Sequence, residues 1–375
     1  MRRATIRPVT APDAVAAGWR WLDTPAALRT WTDALAGASR IGLDTEFMRV
    51  DTYWPRLALV QVQGGGATLL IDPLALGTAE LGALRPLLAA PDCVKIMHAA
   101  GEDLVALAPV AGGPLAGLFD TQVAAAFAGL GPGLGYQKLV AMLLGVEIGK
   151  DQTRTDWLRR PLSAAQLGYA AQDVQHLPAL HEALQARLEA RGYAGWFRDE
   201  CERLARGAAG TEPDAQPQLG LRGAARWPLE RQAQLRRLLL WREQTARRVD
   251  RPKGWILDDA SALSLAASVP DQPAALAARL AGQRSFPKRE LGNLYDLLHS
   301  PPADPADTVP IAAPLQGAAE RRWRALRAHA ARRAAELDLP AALLAPRRLL
   351  EAVARGEQPP ELLGWRGQAL GLMDG

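Results

Sequence analysis

Apolar and polar residues alternate through Ser39-Arg40-Ile41-Gly42-Leu43-Asp44-Thr45-Glu46-Phe47, the two-residue period of a strand. Two further β-forming runs follow, Arg56-Leu57-Ala58-Leu59-Val60-Gln61-Val62 and Thr68-Leu69-Leu70-Ile71-Asp72, joined through Gly64-Gly65-Gly66. Such runs flanking glycines predict a hairpin and an antiparallel start to a sheet. The pattern then changes: Leu81 to Leu88 reads as helical and Val94-Lys95-Ile96-Met97 as a strand. This mixture predicts an α/β layered fold. Beyond Gly207 the strand pattern disappears. Leu229 to Val249, Asp259 to Ala267, Arg289 to His299 and Glu320 to Leu337 read as helices, with a further helix from Arg347.

Several polar positions in this pattern are awkward for folding and useful for chemistry. Residues two apart on a strand share a face, so Asp44 and Glu46 project together, about 7 Å apart by strand rise. Like charges that close repel unless neutralised, and hard carboxylate oxygens suit Mg2+ or Mn2+. A solvated strand end is the structural alternative. Asp103 follows the Val94–Met97 strand in His98-Ala99-Ala100-Gly101-Glu102-Asp103. Functional groups of open α/β sheets collect outside strand ends, although an acid in the first turn of a helix is also ordinary dipole chemistry. Ser163 and Gln166 form a capping-box pattern ahead of a helix that carries Tyr169 and Asp173, four apart and on one face. Asp120 fits an N-cap ahead of Thr121 to Phe127. The segment from Lys150 to Arg160, with Arg154, Asp156, Arg159 and Arg160, is either a phosphate contact or a salt-bridged loop.

The order of these acids is that of a known group. LDTEF, VKIMHAAGEDL, FDTQVAAAF, TRTDWLRRPL and YAAQDV together resemble the DEDD exonuclease superfamily, in its tyrosine subgroup, and within it the ribonuclease D family. The resemblance spans roughly residues 20–205 and continues beyond. It implies a ribonuclease H-like mixed sheet with flanking helices, followed by two small all-α domains of the helicase-and-RNase-D C-terminal (HRDC) type. The first is carried by RPKGWILDDASALSLA and the second by LPAALLAPRRLLEAV and GWRGQALG. The implied organisation is an extension at 1–18, expected to be disordered, an exonuclease domain at 19–206, a linker at 207–222, a first HRDC domain at 223–300, a linker at 301–314 and a second HRDC-like domain at 315–375.

By the same resemblance Asp44, Glu46, Asp103 and Asp173 hold two divalent metal ions, Mg2+ or Mn2+. Tyr169 orients the attacking water; with an ordinary phenol pKa of about 10 it is a poor base at neutral pH. Thr45 and Phe47 meet the terminal nucleotide, the latter with a core position as its alternative. His98 is a further candidate for RNA contact, with a packing histidine as the alternative. The implied activity is 3′→5′ exoribonuclease hydrolysis to nucleoside 5′-monophosphates, on the 3′ ends of tRNA precursors and other small structured RNAs. A DNA exonuclease of the proofreading type and a catalytically inactive RNA-binding module are the alternatives. The tandem helical domains argue against the first and the intact acidic set against the second.

Composition adds limits. The two cysteines, Cys93 and Cys201, show neither metal spacing nor a disulfide framework, as expected in a reducing cytoplasm. No apolar run is long enough to span a membrane, and the basic start lacks the apolar core of a signal peptide before Asp13. A monomer is expected. Net charge is +4, about −1 in residues 1–210 and about +5 in 211–375, so any basic nucleic-acid footprint is sought in the C-terminal part. That surplus is modest, and arginines that are merely solvated are its alternative.

Overall fold

The computed structural model describes residues 18–149, 155–209, 212–301 and 307–372. Residues 1–17 of the extension expected at 1–18, together with Lys150 and Arg154, lie outside the described residues. The chain divides into two compact units. One contains residues 18–48, 56–209 and 317–372, and the other contains 49–55 and 212–316.

The first unit is built on a six-stranded mixed sheet: β1 (Trp19–Leu22), β2 (Arg40–Met48), β3 (Arg56–Gly64), β4 (Ala67–Ile71), β5 (Val94–Met97) and β6 (Leu118–Asp120). The strand order is β1-β4-β3-β2-β5-β6. The predicted hairpin is present: β3 pairs antiparallel with β4, and β2 antiparallel with β3. The β1–β4, β2–β5 and β5–β6 pairs are parallel. Helices α1 (Pro25–Ala34), α2 (Pro73–Leu81), α3 (Arg85–Ala89), α4 (Gly101–Ala111), α5 (Thr121–Phe127), α6 (Tyr136–Leu144), α7 (Ala164–Gln175), α8 (Leu177–Ala190) and α9 (Ala194–Ala209) flank it. Ile41, Leu43, Val60, Val62, Leu69 and Ile71 are buried in the core between sheet and helices. Their spacing is the alternation visible in the sequence.

Among the described residues, one guanidinium makes several contacts in the segment that precedes α7. Arg160 donates to both carboxylate oxygens of Asp72 at 2.7 and 2.8 Å, to the Ala58 carbonyl at 2.7 Å and to the Trp157 carbonyl at 2.8 Å. The salt-bridged reading of Arg160 therefore holds. Such a planar fork suits bidentate pairing with a carboxylate.

The second unit carries α10 (Leu229–Val249), α11 (Lys253–Ile256), α12 (Asp259–Ala267), α13 (Pro273–Leu280) and α14 (Leu291–His299), packed around Leu235, Leu238, Ile256, Leu265, Leu276 and Leu294. The connection between β2 and β3 belongs to this core. Tyr53 is buried, its hydroxyl donates to Glu243, and its amide and that of Trp54 donate to Asp250. The arginines of α10 are engaged within the unit. Arg231, Arg236 and Arg237 donate to backbone carbonyls, while Arg242, Arg247 and Arg248 pair with Asp259, Glu243 and Glu290. Their density reflects internal satisfaction more than a free phosphate-binding face.

The last helices, α15 (Gly317–Glu336), α16 (Ala341–Leu344), α17 (Arg347–Arg355) and α18 (Trp365–Leu370), share the apolar core of the sheet unit through Ala334, Leu344, Leu350 and Trp365. Arg366 pairs with Glu200 at 2.8 Å, both nearly excluded from solvent. Burial alone would raise the Glu200 carboxyl, but hydrogen bonds from Arg203 and Arg366 outweigh it and hold it at about 2. Removing one partner of a buried pair strands the other charge. Arg366→Ala is therefore expected to destabilise the unit by about 3–5 kcal/mol, measured by urea unfolding of the full chain. An unchanged midpoint would show that the C-terminal helices are not integral to the nuclease core.

Candidate active site

Three elements bring the sequence-selected acids together. β2 supplies Asp44 and Glu46 on one face. The register shifts between Glu46 and Phe47, and a bulge of this kind re-aims the next side chain. Phe47 is half-buried and belongs to none of the three hydrophobic clusters. The core alternative for Phe47 is thus not what the structure shows.

The turn after β5 supplies Asp103 in the first turn of α4. Its backbone is held by Asp120 at the end of β6. Asp120 Oδ1 accepts from the amides of Ala99, Gln122 and Val123, and Oδ2 accepts from Ala100. Asp120 is thus the N-cap of α5 that the sequence suggested, and it also restrains Ala99, whose φ is +54°. The Thr45 hydroxyl donates to Asp103 Oδ1 at 2.5 Å. That side chain is committed to an acid, which leaves its backbone for any nucleotide contact. His98 Nδ1 meets Thr121 Oγ1 at 2.9 Å and the ring packs edge-on against Tyr136, while its buried Nε2 has no partner among the described residues.

Helix α7 supplies Tyr169 and Asp173. Its start is the capping box read from the sequence: Ser163 Oγ accepts from the Gln166 amide at 3.2 Å, and Gln166 Oε1 accepts from the Ser163 amide at 3.0 Å. Leu167, Ala170 and Val174 bury the inner face. The neighbouring face presents Tyr169 and Asp173, close enough for each to shift the other's ionisation.

Asp44, Glu46, Asp103, Tyr169 and Asp173 are all half-buried. Asp44 keeps part of its surface open, although protein atoms crowd its carboxylate. Burial, then the charges of Asp103, Asp173 and Glu46, raise the Asp44 carboxyl well above the usual range. Burial and then Asp173 and Asp103 push Glu46 to about 8. Burial likewise lifts Asp173 to about 7 and Asp103 to about 6, against the lowering hydrogen bonds from Tyr169 and Thr45 respectively. The charges acting most strongly on these groups are other acids. Burial and the same acids push the Tyr169 phenol further up, so it stays protonated.

Gln61 was not singled out from the sequence. It pairs in register with Asp44, is fully buried, and neither side-chain amide atom has a partner among the described residues. A buried amide without partners costs about 1–3 kcal/mol. Acids whose strongest charged neighbours are other acids, beside an orphaned amide, are the donor chemistry of a hard divalent cation, so these residues fit one. Among the described residues, no group of three or more His, Cys, Asp or Glu side chains is already drawn together as a ready-made metal cage.

Raised carboxyls bind protons in the folded state that the unfolded chain has released. Stability of the metal-free protein should therefore fall as pH rises from about 5 to 8. Scanning calorimetry across that range tests this, and added Mg2+ or Mn2+ should flatten the slope. Asp44→Asn should raise the metal-free midpoint by about 2–4 °C at pH 8, as for a gain of about 1 kcal/mol. A lowered midpoint would argue against mutual repulsion at the site.

Comparison with known proteins gives two family matches: 3'-5' exonuclease over residues 19–189, and HRDC domain over residues 231–284. The chain is 44% identical over 356 residues to ribonuclease D of Xanthomonas oryzae pv. oryzae, covering 93% of this chain and 96% of that protein. It is 35% identical to ribonuclease D of Pseudomonas paraeruginosa, covering 97% of each. Among solved structures, the crystal structure of Escherichia coli RNase D, an exoribonuclease involved in structured RNA processing, aligns with a TM-score of 0.82 at 29% identity, covering 94% of this chain and 96% of that one.

Proposed function

The chain belongs to the ribonuclease D family, and from that premise we propose that Asp44, Glu46, Asp103 and Asp173 hold two divalent cations, Mg2+ or Mn2+, for 3′→5′ hydrolysis of RNA. When bound, such ions grip the scissile phosphate, supply the nucleophile and stabilise the leaving 3′ oxygen. The single observation that carries this reading is a set of four half-buried acids, each with another acid as its strongest charged neighbour: members of the set for Asp44, Glu46 and Asp173, and Asp120 for Asp103.

The protein's own groups divide the remaining work. Tyr169, a protonated phenol beside Asp173, has a hydroxyl that can both donate and accept and so orient the attacking water. Phe47, re-aimed by the bulge, offers an aromatic face to the terminal base or sugar, and the Thr45 backbone lies beside it. His98 is the further candidate for contact with RNA, from its place between Thr121 and Tyr136. The product is a nucleoside 5′-monophosphate, released one at a time from the 3′ end.

The substrate class follows from the domain plan. The HRDC match at 231–284 and the structured-RNA processing described for the E. coli relative support small structured RNAs, tRNA precursors among them. We assign residues 315–375 to a second HRDC-like domain and place the protein in the cytoplasm as a monomer. No helix of the described residues is long and apolar enough to cross a membrane.

Asp44→Ala and Asp173→Ala should each cut release of nucleotides from 3′-labelled RNA by about 10²–10³-fold or more, the scale of losing one group that stabilises developing charge. Unchanged release by either variant would refute its place as a ligand. Tyr169→Phe should cost about 10²-fold in kcat, the scale of one proton-handling group, with little change in KM. Matched RNA and DNA oligonucleotides give the discriminating comparison: faster digestion of DNA would overturn the ribonuclease reading in favour of a proofreading-type exonuclease.

A further inference from the structure

Helix α7 ends at Gln175, two residues after Asp173, and a tyrosine from another helix takes part in that end. In a continuous helix the Gln172 carbonyl would accept from the His176 amide. Here the Tyr136 hydroxyl stands between them: it donates to the Gln172 carbonyl at 3.0 Å and accepts from the His176 amide at 3.3 Å. A side chain inserted into the helical ladder is one of the few causes of a sharp kink. The chain leaves α7 at His176 and starts α8 at Leu177, with Pro178 in the first turn. Proline has no amide to offer the Val174 carbonyl, which the His176 amide meets instead. Asp173 is thus the acid that sits inside the opened turn.

The break needs space beneath it, and β2 provides that space at Gly42. A methyl group at Gly42 would stand 3.1 Å from the Val174 carbonyl oxygen and 3.2 Å from Leu177 Cβ. Gly42 lies on the same face as Asp44, two residues before it. The absent side chain therefore lets the end of α7 rest directly on the strand that carries Asp44. Tyr136 itself is held on its ring edge by His98, which is fixed in turn by Thr121.

We propose that Tyr136 is a positioning residue of the nuclease site: its hydroxyl, wedged between Gln172 and His176, sets the helix break that aims Asp173 at Asp44 above Gly42. The inference rests on the reading of Asp173 as a metal ligand. It assigns Tyr136 no contact with the reacting atoms. It also gives His98 a role, as the brace behind the wedge.

Tyr136→Phe keeps the ring against His98 and removes only the hydroxyl. The test measures Mn2+ binding to the full-length, metal-free protein by calorimetry without RNA, for wild type, Tyr136→Phe, Asp173→Asn and the double variant, with Gly42→Ala as a second, independent perturbation. Loss of an outer hydrogen bond that orients a ligand typically costs about 10–100-fold in metal affinity. We expect Tyr136→Phe and Gly42→Ala each to weaken Mn2+ binding by about 10-fold. Raising Mn2+ should restore kcat, with KM for RNA unchanged, and Tyr136→Phe should add nothing in the Asp173→Asn background. Wild-type Mn2+ affinity in Tyr136→Phe, with Asp173→Asn weakened, overturns the positioning role and leaves the ligand assignment standing. A full additional loss in the double variant also overturns it, because the wedge would then act elsewhere. Unchanged affinity in Asp173→Asn overturns both.

Discussion

Mutual repulsion among Asp44, Glu46, Asp103 and Asp173 is the constraint around which the sheet unit is arranged. Unit charges in a partly desolvated site interact several times more strongly than in water, and here each acid's main charged neighbours are further acids. A folded protein tolerates such a group only if the elements bearing it are held by other interactions. The same chain shows the contrary arrangement at Glu200. That acid is also buried, but Arg203 and Arg366 surround it and bring its carboxyl down to about 2. One buried acid is neutralised and serves the fold; the other four lack a basic partner of comparable strength and are available to a ligand.

The holding interactions sit one step behind the acids. Asp120 gathers the amides of the turn that leads to Asp103. Thr45 bonds Asp103 directly. The Ser163–Gln166 box starts α7 in register, and Tyr136 with Gly42 fixes where it ends. Arg160 ties the preceding loop to Asp72. Rigid elements of this kind hold reactive side chains more closely than loops can, and the stability they contribute offsets the strain stored among the carboxylates.

Much of this was legible in the sequence because it is local. Period-two alternation placed Asp44 and Glu46 on one face, the capping box located the start of α7, and four-residue spacing put Tyr169 beside Asp173. The hairpin glycines and the limits of α10 and α12 were readable for the same reason. What escaped is non-local. β1 and β6, with four and three residues, are too short to show a period. Apolar spacing shows that a helix buries a face, but not against what: only the fold shows that Ala334, Leu344, Leu350 and Trp365 join the core of the sheet unit. The arginines of α10 read as a basic face because sequence cannot show that Glu243, Asp259, Glu290 and several carbonyls receive them. Tyr136, Gly42 and Gln61 carry no motif of their own. Their significance comes only from what the fold places beside them.

The most direct measurement is the number of protons released when Mn2+ binds the metal-free protein near pH 7, obtained by calorimetry in buffers of different ionisation enthalpy. Carboxyls raised to about 6, 7 and 8 are partly protonated there, and a cation must displace those protons to reach their oxygens. Release of roughly one proton or more, lost in Asp44→Asn and Asp173→Asn, is the expected result. Binding without proton release, or release unchanged in both variants, would contradict a metal site built from these four acids.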